Sequence, residues 1–332
     1  MKEGCLLNIS EPILVRLNMD EEALQARANA YALASRAKGT RAAYALKMRQ
    51  FQVFCDERGE PSVPASPETV RLYITKIADE VCCSSVNQFL SALGEAHEAK
   101  GHSSPRFHPI VQQVWKGVKR TKGTRAVGMK PLLVEHLHKM LAATPGHTSL
   151  VNDRDRAMVA FGWSAAMRRA EIVDTFVEHI TFHEHGFTIL VARSKEDQEG
   201  AGFEKMVLFG KNAETCPVRI LQRWLEVSKI TEGHVFRPIS RWGRVITYGD
   251  RVGLWPQYLD KITKAMMRKA GLDPKGYGAH SLRAGFVTQA ALLGKTESEI
   301  MRHTGHASSD MVRRYIRIAE LHVKNATEGI GL

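Results

Sequence analysis

Residues 179–209 read HITFHEHGFTILVARSKEDQEGAGFEKMVLF. Short β-branched and aromatic runs at 179–182, 187–193 and 205–209 are separated by polar segments, a spacing that predicts a small antiparallel sheet. Helical patterning surrounds it: 131–143, 152–165, 169–176, 216–227, 257–270 and the last 50 residues all carry apolar residues at helical intervals. The chain after Pro131 is therefore expected to be mixed α+β, mainly helical with a small antiparallel sheet.

Residues 40–122 differ, with amphipathic helical patterning and almost no strand signal. Thr40 is expected to cap a helix with Tyr44, Met48, Phe51 and Cys55 on one stripe, stopped by Gly59. Ser66-Pro67-Glu68 supplies a capping hydroxyl, a proline at the first helical position and an acid in the first turn. Val70, Ile74 and Ile77 follow at helical spacing. A third helix should begin at Ser84 or Ser85, burying Val86, Leu90 and Leu93 and ending at Gly101. Pro109 opens a fourth, through Ile110, Val114 and Val118. Four such helices joined by short polar turns make a helical bundle.

The 332 residues suffice for about two domains. The boundaries read as an N-terminal arm, mobile or a frayed helix, over 1–30, a helical domain over 31–120, a basic linker over 121–130 and the mixed domain over 131–332. An apolar share of 44% and a charged share of 25% exclude a wholly disordered chain. The 47 Lys and Arg exceed the 35 Asp and Glu by 12, and the pI is near 9.5, which favours a polyanionic partner. No apolar run approaches the 18 or so residues of a membrane span, and the N-terminal stretch has no apolar run suited to a signal peptide. Cys5, Cys55, Cys82, Cys83 and Cys216 are odd in number and scattered without a CxxC, a pattern suited to reduced thiols in a cytoplasm. A soluble, cytoplasmic, nucleic-acid-binding protein is the expectation. The stretch KGVKRTKGTRAVGMK at 116–130 holds six basic residues and no acid. It reads either as a solvated linker or as a hinge crossing a phosphate backbone through Lys116, Lys119, Arg120, Lys122 and Arg125.

Four segments hold most of the chemically informative residues. They are Ala166-Met167-Arg168-Arg169-Ala170-Glu171-Ile172, the turn Arg193-Ser194-Lys195-Glu196-Asp197-Gln198-Glu199-Gly200, His280-Ser281-Leu282-Arg283-Ala284-Gly285-Phe286, and Thr304-Gly305-His306 with Tyr315 nine residues on. Each alone has an ordinary structural reading: an ion pair on a helix, a solvated lysine, a chance HxxR, a packing tyrosine. His303-x-x-His306 and His183-x-His185 each offer two metal ligands, but no cysteine or carboxylate set lies at matching spacing, so no metal or other cofactor is expected.

In this order, on a basic two-domain chain, the segments resemble the tyrosine recombinase (phage integrase) family over nearly the whole length. The helical N-terminal part resembles the core-binding domain of Cre-type members. The resemblance implies a C-shaped clamp on duplex DNA. It makes Arg168 and Arg283 the paired arginines, Lys195 the β-hairpin lysine, His280 the opening of the second box, His306 the residue after the GH glycine, Tyr315 the nucleophile and Glu171 a supporting acid. Two departures stand out. Ala284-Gly285-Phe286 follows HSLR where many members have His and Ser or Thr, and Glu196 replaces the more usual Thr. The implied activity is site-specific strand exchange through a 3′-phosphotyrosyl link, without metal or ATP, in DNA integration, excision, inversion or dimer resolution. The implied partners are double-stranded DNA with an inverted-repeat target and further copies of the chain, a dimer on one site and a tetramer in synapse. The 17 residues beyond Tyr315 are expected either to pack on their own domain or to dock into a neighbouring subunit. A catalytically inactive DNA-binding protein on this fold, a type IB topoisomerase or a telomere resolvase are the alternatives.

Overall fold

Helix after helix forms the first part of the chain, and the computed structural model describes residues 21–124, 128–192, 202–247, 252–306 and 308–323. The chain divides into two compact units, residues 1–126 and 127–332.

In the first unit, α1 (Glu21–Ala34) begins in the stretch read as an arm and runs four residues beyond it. It is helical but buries no residue. α2 (Lys38–Asp56) starts two residues before Thr40, after Ala37, which makes no side-chain cap. The expected capping role of Thr40 is therefore corrected, while the apolar stripe survives, with Phe51 and Cys55 buried. α3 (Pro67–Ala78) starts as the sequence predicts: the Ser66 hydroxyl accepts from the Thr69 N–H at 3.0 Å. α4 (Cys83–Glu98) begins one residue before the expected serines, and α5 (Pro109–Lys122) begins at Pro109 and runs into the stretch read as linker. The core gathers around Phe51, Tyr73 and Phe89, whose ring centroids lie 4.8 to 5.2 Å apart. Buried His97 joins it to the loop before α3, accepting the Ala65 N–H on Nε2 and donating from Nδ1 to the Leu93 carbonyl. Burial lowers its proton affinity, which suits that neutral form.

The second unit holds α6 (Val134–Ala142), α7 (Leu150–Ser164), the short α8 (Arg169–Val173), β1 (Ile180–His183), β2 (Gly186–Val191), β3 (Phe203–Leu208), α9 (Pro217–Ser228), α10 (Gln257–Lys269), α11 (His280–Leu292), α12 (Glu297–Thr304) and α13 (Ser309–Val323). The sheet order is β1-β2-β3, antiparallel throughout. Ile180 pairs with Ile189, and Val191 with Phe203. The fold class is thus a helical bundle followed by a mainly helical unit with one three-stranded antiparallel sheet. α7 runs through the core and is buried on nearly every side, with Ala157 to Phe161 at or below 1% exposure. Gly162 lets Ile172 close on it, since a Cβ there would come within 2.5 Å of the Ile172 side chain.

Candidate active site

The end of α7 organises the site. The Ala166 N–H donates to the Trp163 carbonyl and the Met167 N–H to that of Gly162, both at 3.1 Å, with Ala166 at φ 48°. This is the paired reversal that ends many helices, with alanine where glycine is usual. The last carbonyls of α7 have no partner within the helix and sit at its negative end. Side chains from three other elements meet them. His303 Nε2 donates to Ser164 O at 2.8 Å, Lys205 Nζ to Ala165 O at 2.8 Å, and Arg283 Nη1 to Ala166 O at 2.6 Å. Arg283 Nη1 and Lys205 Nζ also both donate to Thr304 O, at 2.8 and 3.3 Å. One knot of hydrogen bonds therefore holds the turn before Arg168, strand β3, helix α11 and the end of α12.

Arg168 stands at the start of α8. The Glu171 carboxylate accepts its backbone N–H at 2.8 Å and its Nη1 at 2.9 Å, so one acid caps the helix and aims the guanidinium. The Glu171 side chain is only 5% exposed. His280 opens α11 and is exposed. The backbone ahead of it is held by Asp260 of α10, which accepts the Ala279 N–H at 2.8 Å and the Arg169 guanidinium at 2.7 Å. Asp260 thus links the residue after Arg168 to the residue before His280. One acid on an amphipathic helix carries no signal of this in sequence, and reading by segments missed it.

Gly285 is explained by packing. A Cβ there would overlap the Leu132 carbonyl at 1.8 Å, and Leu132 N–H donates to Ser281 O. The departure from the family pattern after HSLR therefore accompanies a close approach of the residues before α6 to α11.

Gly305 ends α12 at φ 69°, and a side chain there would strike the Phe203 ring. The turn delivers His306, whose Nδ1 lies 2.7 Å from the Thr304 hydroxyl. That hydroxyl donates to Ile300 O at 2.7 Å, so Nδ1 is the protonated nitrogen. Tyr315 of α13 is half-buried against the cluster of Val287, Ile300 and Val312. Burial raises the phenol's pKa, while the charges of Arg314 and Arg283 pull it back down. The phenol is therefore within electrostatic reach of Arg283.

Lys195, its neighbour Glu196 and Arg125 lie outside the described residues. The paired ends of β2 and β3 bracket the Lys195 segment. On α5, Lys116 and Arg120 are exposed, and Lys119 lies over the Trp115 ring at 5.3 Å. Lys122 has partners within its own unit: it donates to the Ala78 carbonyl and lies 3.3 Å from Asp79. The histidine pairs are engaged as well. His303 and His306 are held as described, and His183 Nε2 is 2.9 Å from Thr188 Oγ1, with His185 Nε2 2.9 Å from Glu184. Among the described residues no group of three or more His, Cys, Asp or Glu could hold a metal, and no helix is long and apolar enough to cross a membrane.

Comparison with known proteins brings a match to the model of the phage integrase family over residues 132–322. An integrase/recombinase xerD homolog of Selenomonas ruminantium is 36% identical over 295 residues, covering 88% of this chain and 85% of that protein. The recombinase Cre of Escherichia phage P1 is 22% identical over 284 residues, 81% of each. The crystal structure of XerH bound to a palindromic difH substrate, a post-cleavage complex, is similar with a TM-score of 0.62 at 19% identity, covering 87% of this chain and 79% of that one.

Proposed function

Because this chain belongs to the phage integrase family, we propose that it is a site-specific DNA recombinase that cuts and rejoins strands through Tyr315. The observation that carries the reading is the knot in which Arg283, the turn before Arg168 and the Thr304-Gly305-His306 loop share partners, with Tyr315 close enough to feel Arg283.

A phosphodiester is anionic and its alkoxide leaves poorly, so catalysis must supply fixed positive charge where charge grows. Arg168, aimed by Glu171, and Arg283, anchored by two carbonyls, serve that role with rigid guanidinium forks. Tyr315 Oη attacks phosphorus and the bond to the 5′ oxygen breaks, leaving a 3′-phosphotyrosyl link. His280 accepts the phenolic proton, directly or through water, and Lys195 donates a proton to the departing 5′ oxygen. Burial raises the phenol's pKa, so ionisation depends on the cations beside it. The link stores the bond energy, and a 5′-hydroxyl from a second strand reverses the step without a high-energy cofactor. His306 supports the phosphate from a ring fixed by Thr304.

The target is double-stranded DNA with an inverted repeat, bound by two copies of the chain and by four in synapse. The catalytic machinery lies in 131–332, and the helical unit grips DNA with Lys116, Lys119 and Arg120. Such an enzyme works in the cytoplasm.

The test is covalent capture from a randomised pool of nicked duplexes in EDTA. Wild type should yield a protein–DNA adduct whose labelled peptide contains Tyr315, and Tyr315→Phe, which removes one oxygen, should yield none at equal DNA affinity. An adduct that persists in Tyr315→Phe, or one that needs a divalent cation, refutes the mechanism. Sequencing the captured duplexes identifies the target.

A further inference from the structure

We propose that Lys205 is a positioning residue of the strand-cleavage site: its ammonium ties the turn that precedes Arg168 to the loop that carries His306. The inference rests on the functional reading above and adds a residue to it.

Strand β3 reads FEKMVL, and its inward positions are Lys205 and Val207, both buried. A lysine on the inward face of a strand is costly, because burying an ammonium forfeits its hydration. An apolar side chain of similar length would avoid that penalty and leave only the Ala165 carbonyl short of a donor, since Arg283 still meets that of Thr304. The surroundings add to the cost. Arg283 from α11 and Arg168 from the α7–α8 turn carry the same sign, His303 from α12 lies nearby, and Glu171 of α8 is the acid that counters them. Burial lowers the amine's pKa to about 7, and the Arg283 charge pushes the same way. Stability alone does not account for a lysine here.

Its contacts do. Lys205 is 2% exposed, lies over the face of the Phe203 ring at 5.4 Å and donates to two carbonyls. One belongs to Ala165, three residues before Arg168, and the other to Thr304, two before His306. Arg283 makes a parallel bridge, from Ala166 O to the same Thr304 O. A carbonyl oxygen has two lone pairs, and that of Thr304 is met by both cations. His303 on the Ser164 carbonyl also spans this gap, but Lys205 alone shares the Thr304 carbonyl with Arg283, so Arg283 is not drawn toward the protein when it must also meet phosphate. Neutral and charged amines both have enough hydrogens for the two carbonyls. An arriving phosphodiester favours the charged form and tightens the tie as the site fills.

The experiment uses the full chain, a nicked duplex obtained by the covalent capture above, and the variants Lys205→Met and Lys205→Arg. Lys205→Met keeps length and removes the donors. Lys205→Arg keeps donors and charge, and Lys205 is among the residues that line a cavity of about 510 Å³ with Phe286, Glu299 and His303. The readouts are the first-turnover adduct rate at saturating protein, the DNA affinity and the thermal midpoint. Lys205→Met should lose 10- to 100-fold in rate, the penalty of misplacing groups by a fraction of an ångström to 1 Å. Its affinity should stay within twofold, its midpoint should fall only by the few degrees that an orphaned Ala165 carbonyl costs, and Lys205→Arg should recover at least tenfold of the lost rate. A Lys205→Met rate within twofold of wild type overturns the proposal. So does a loss shared equally by affinity, midpoint and rate that arginine does not repair, because that is a purely structural lysine. If wild type itself forms no adduct, the recombinase reading fails and this inference falls with it; if wild type reacts and Lys205→Met reacts equally, only this inference fails.

Discussion

Replacing Glu171 with glutamine exchanges one carboxylate oxygen for an NH2 group and leaves shape nearly unchanged. In the native site the two oxygens have separate duties: one accepts the Arg168 backbone N–H at 2.8 Å and the other its guanidinium at 2.9 Å. Glutamine can accept only one of these, and its NH2 must then face a donor. Hydrogen bonds to a charged group contribute about 1.5–3 kcal/mol each, and breaking a buried pair costs about 3–5 kcal/mol. The Glu171 side chain is 5% exposed and that of Arg168 16%, so solvent restores little. One charged bond lost and one reduced to neutral strength gives about 3 kcal/mol, read as a loss of unfolding free energy in urea. The adduct rate should fall about 10²- to 10³-fold, the usual effect of removing one preorganised donor. DNA affinity should hold or rise slightly, because a negative charge has left a cationic site. An unchanged urea midpoint together with an adduct rate within twofold of wild type would refute the claim that this carboxylate aims Arg168.

Gly305→Ala should cost about 2–4 kcal/mol and most of the adduct rate, combining left-handed backbone strain with overlap on Phe203; Gly294→Ala, at φ 74° with nothing within 4 Å, should cost only about 1 kcal/mol when melting curves are compared. The Lys205 amine is depressed to about 7 in the folded chain and returns to about 10.4 on unfolding. Between those values the unfolded chain holds the extra proton, so wild-type stability relative to Lys205→Met should rise as pH goes from 7 toward 10 in parallel urea titrations; a flat or falling difference would contradict it. Lys116→Ala with Arg120→Ala should flatten the salt dependence of DNA binding by about two counterions, whereas Lys122→Ala, whose partners are Asp79 and Ala78, should change the melting of the helical unit more than the salt slope.

Much of the fold was legible because its causes are local. Ser66-Pro67 caps α3 through a hydroxyl three residues from its donor, and Pro109 starts α5. The strands are displaced by no more than two residues from their expected ends, because alternation and β-branched residues mark them directly. Thr40 misled because a capping residue advertises a helix start only when nothing favours an earlier one, and Lys38 already carries helical backbone. The candidate site residues could be read as a set because the family resemblance preserves their order. What binds them could not. Asp260 joins Arg169 to Ala279 across 91 and 19 residues of chain, and Lys205 and Thr304 meet across 99. The preference of Ala165 and Thr304 carbonyls for a buried amine exists only once α7 has ended beside β3 and α12. The sequence by itself determined the helices, the strands and the basic balance, since these follow from periodicity, caps and charge, and the family resemblance supplied the candidate site residues in their order. Tertiary structure alone decided that a strand lysine faces inward, that an acid on α10 braces two separate segments, and that glycine must stand two residues after Arg283. Those depend on how closely distant backbones approach, and no local pattern encodes that distance.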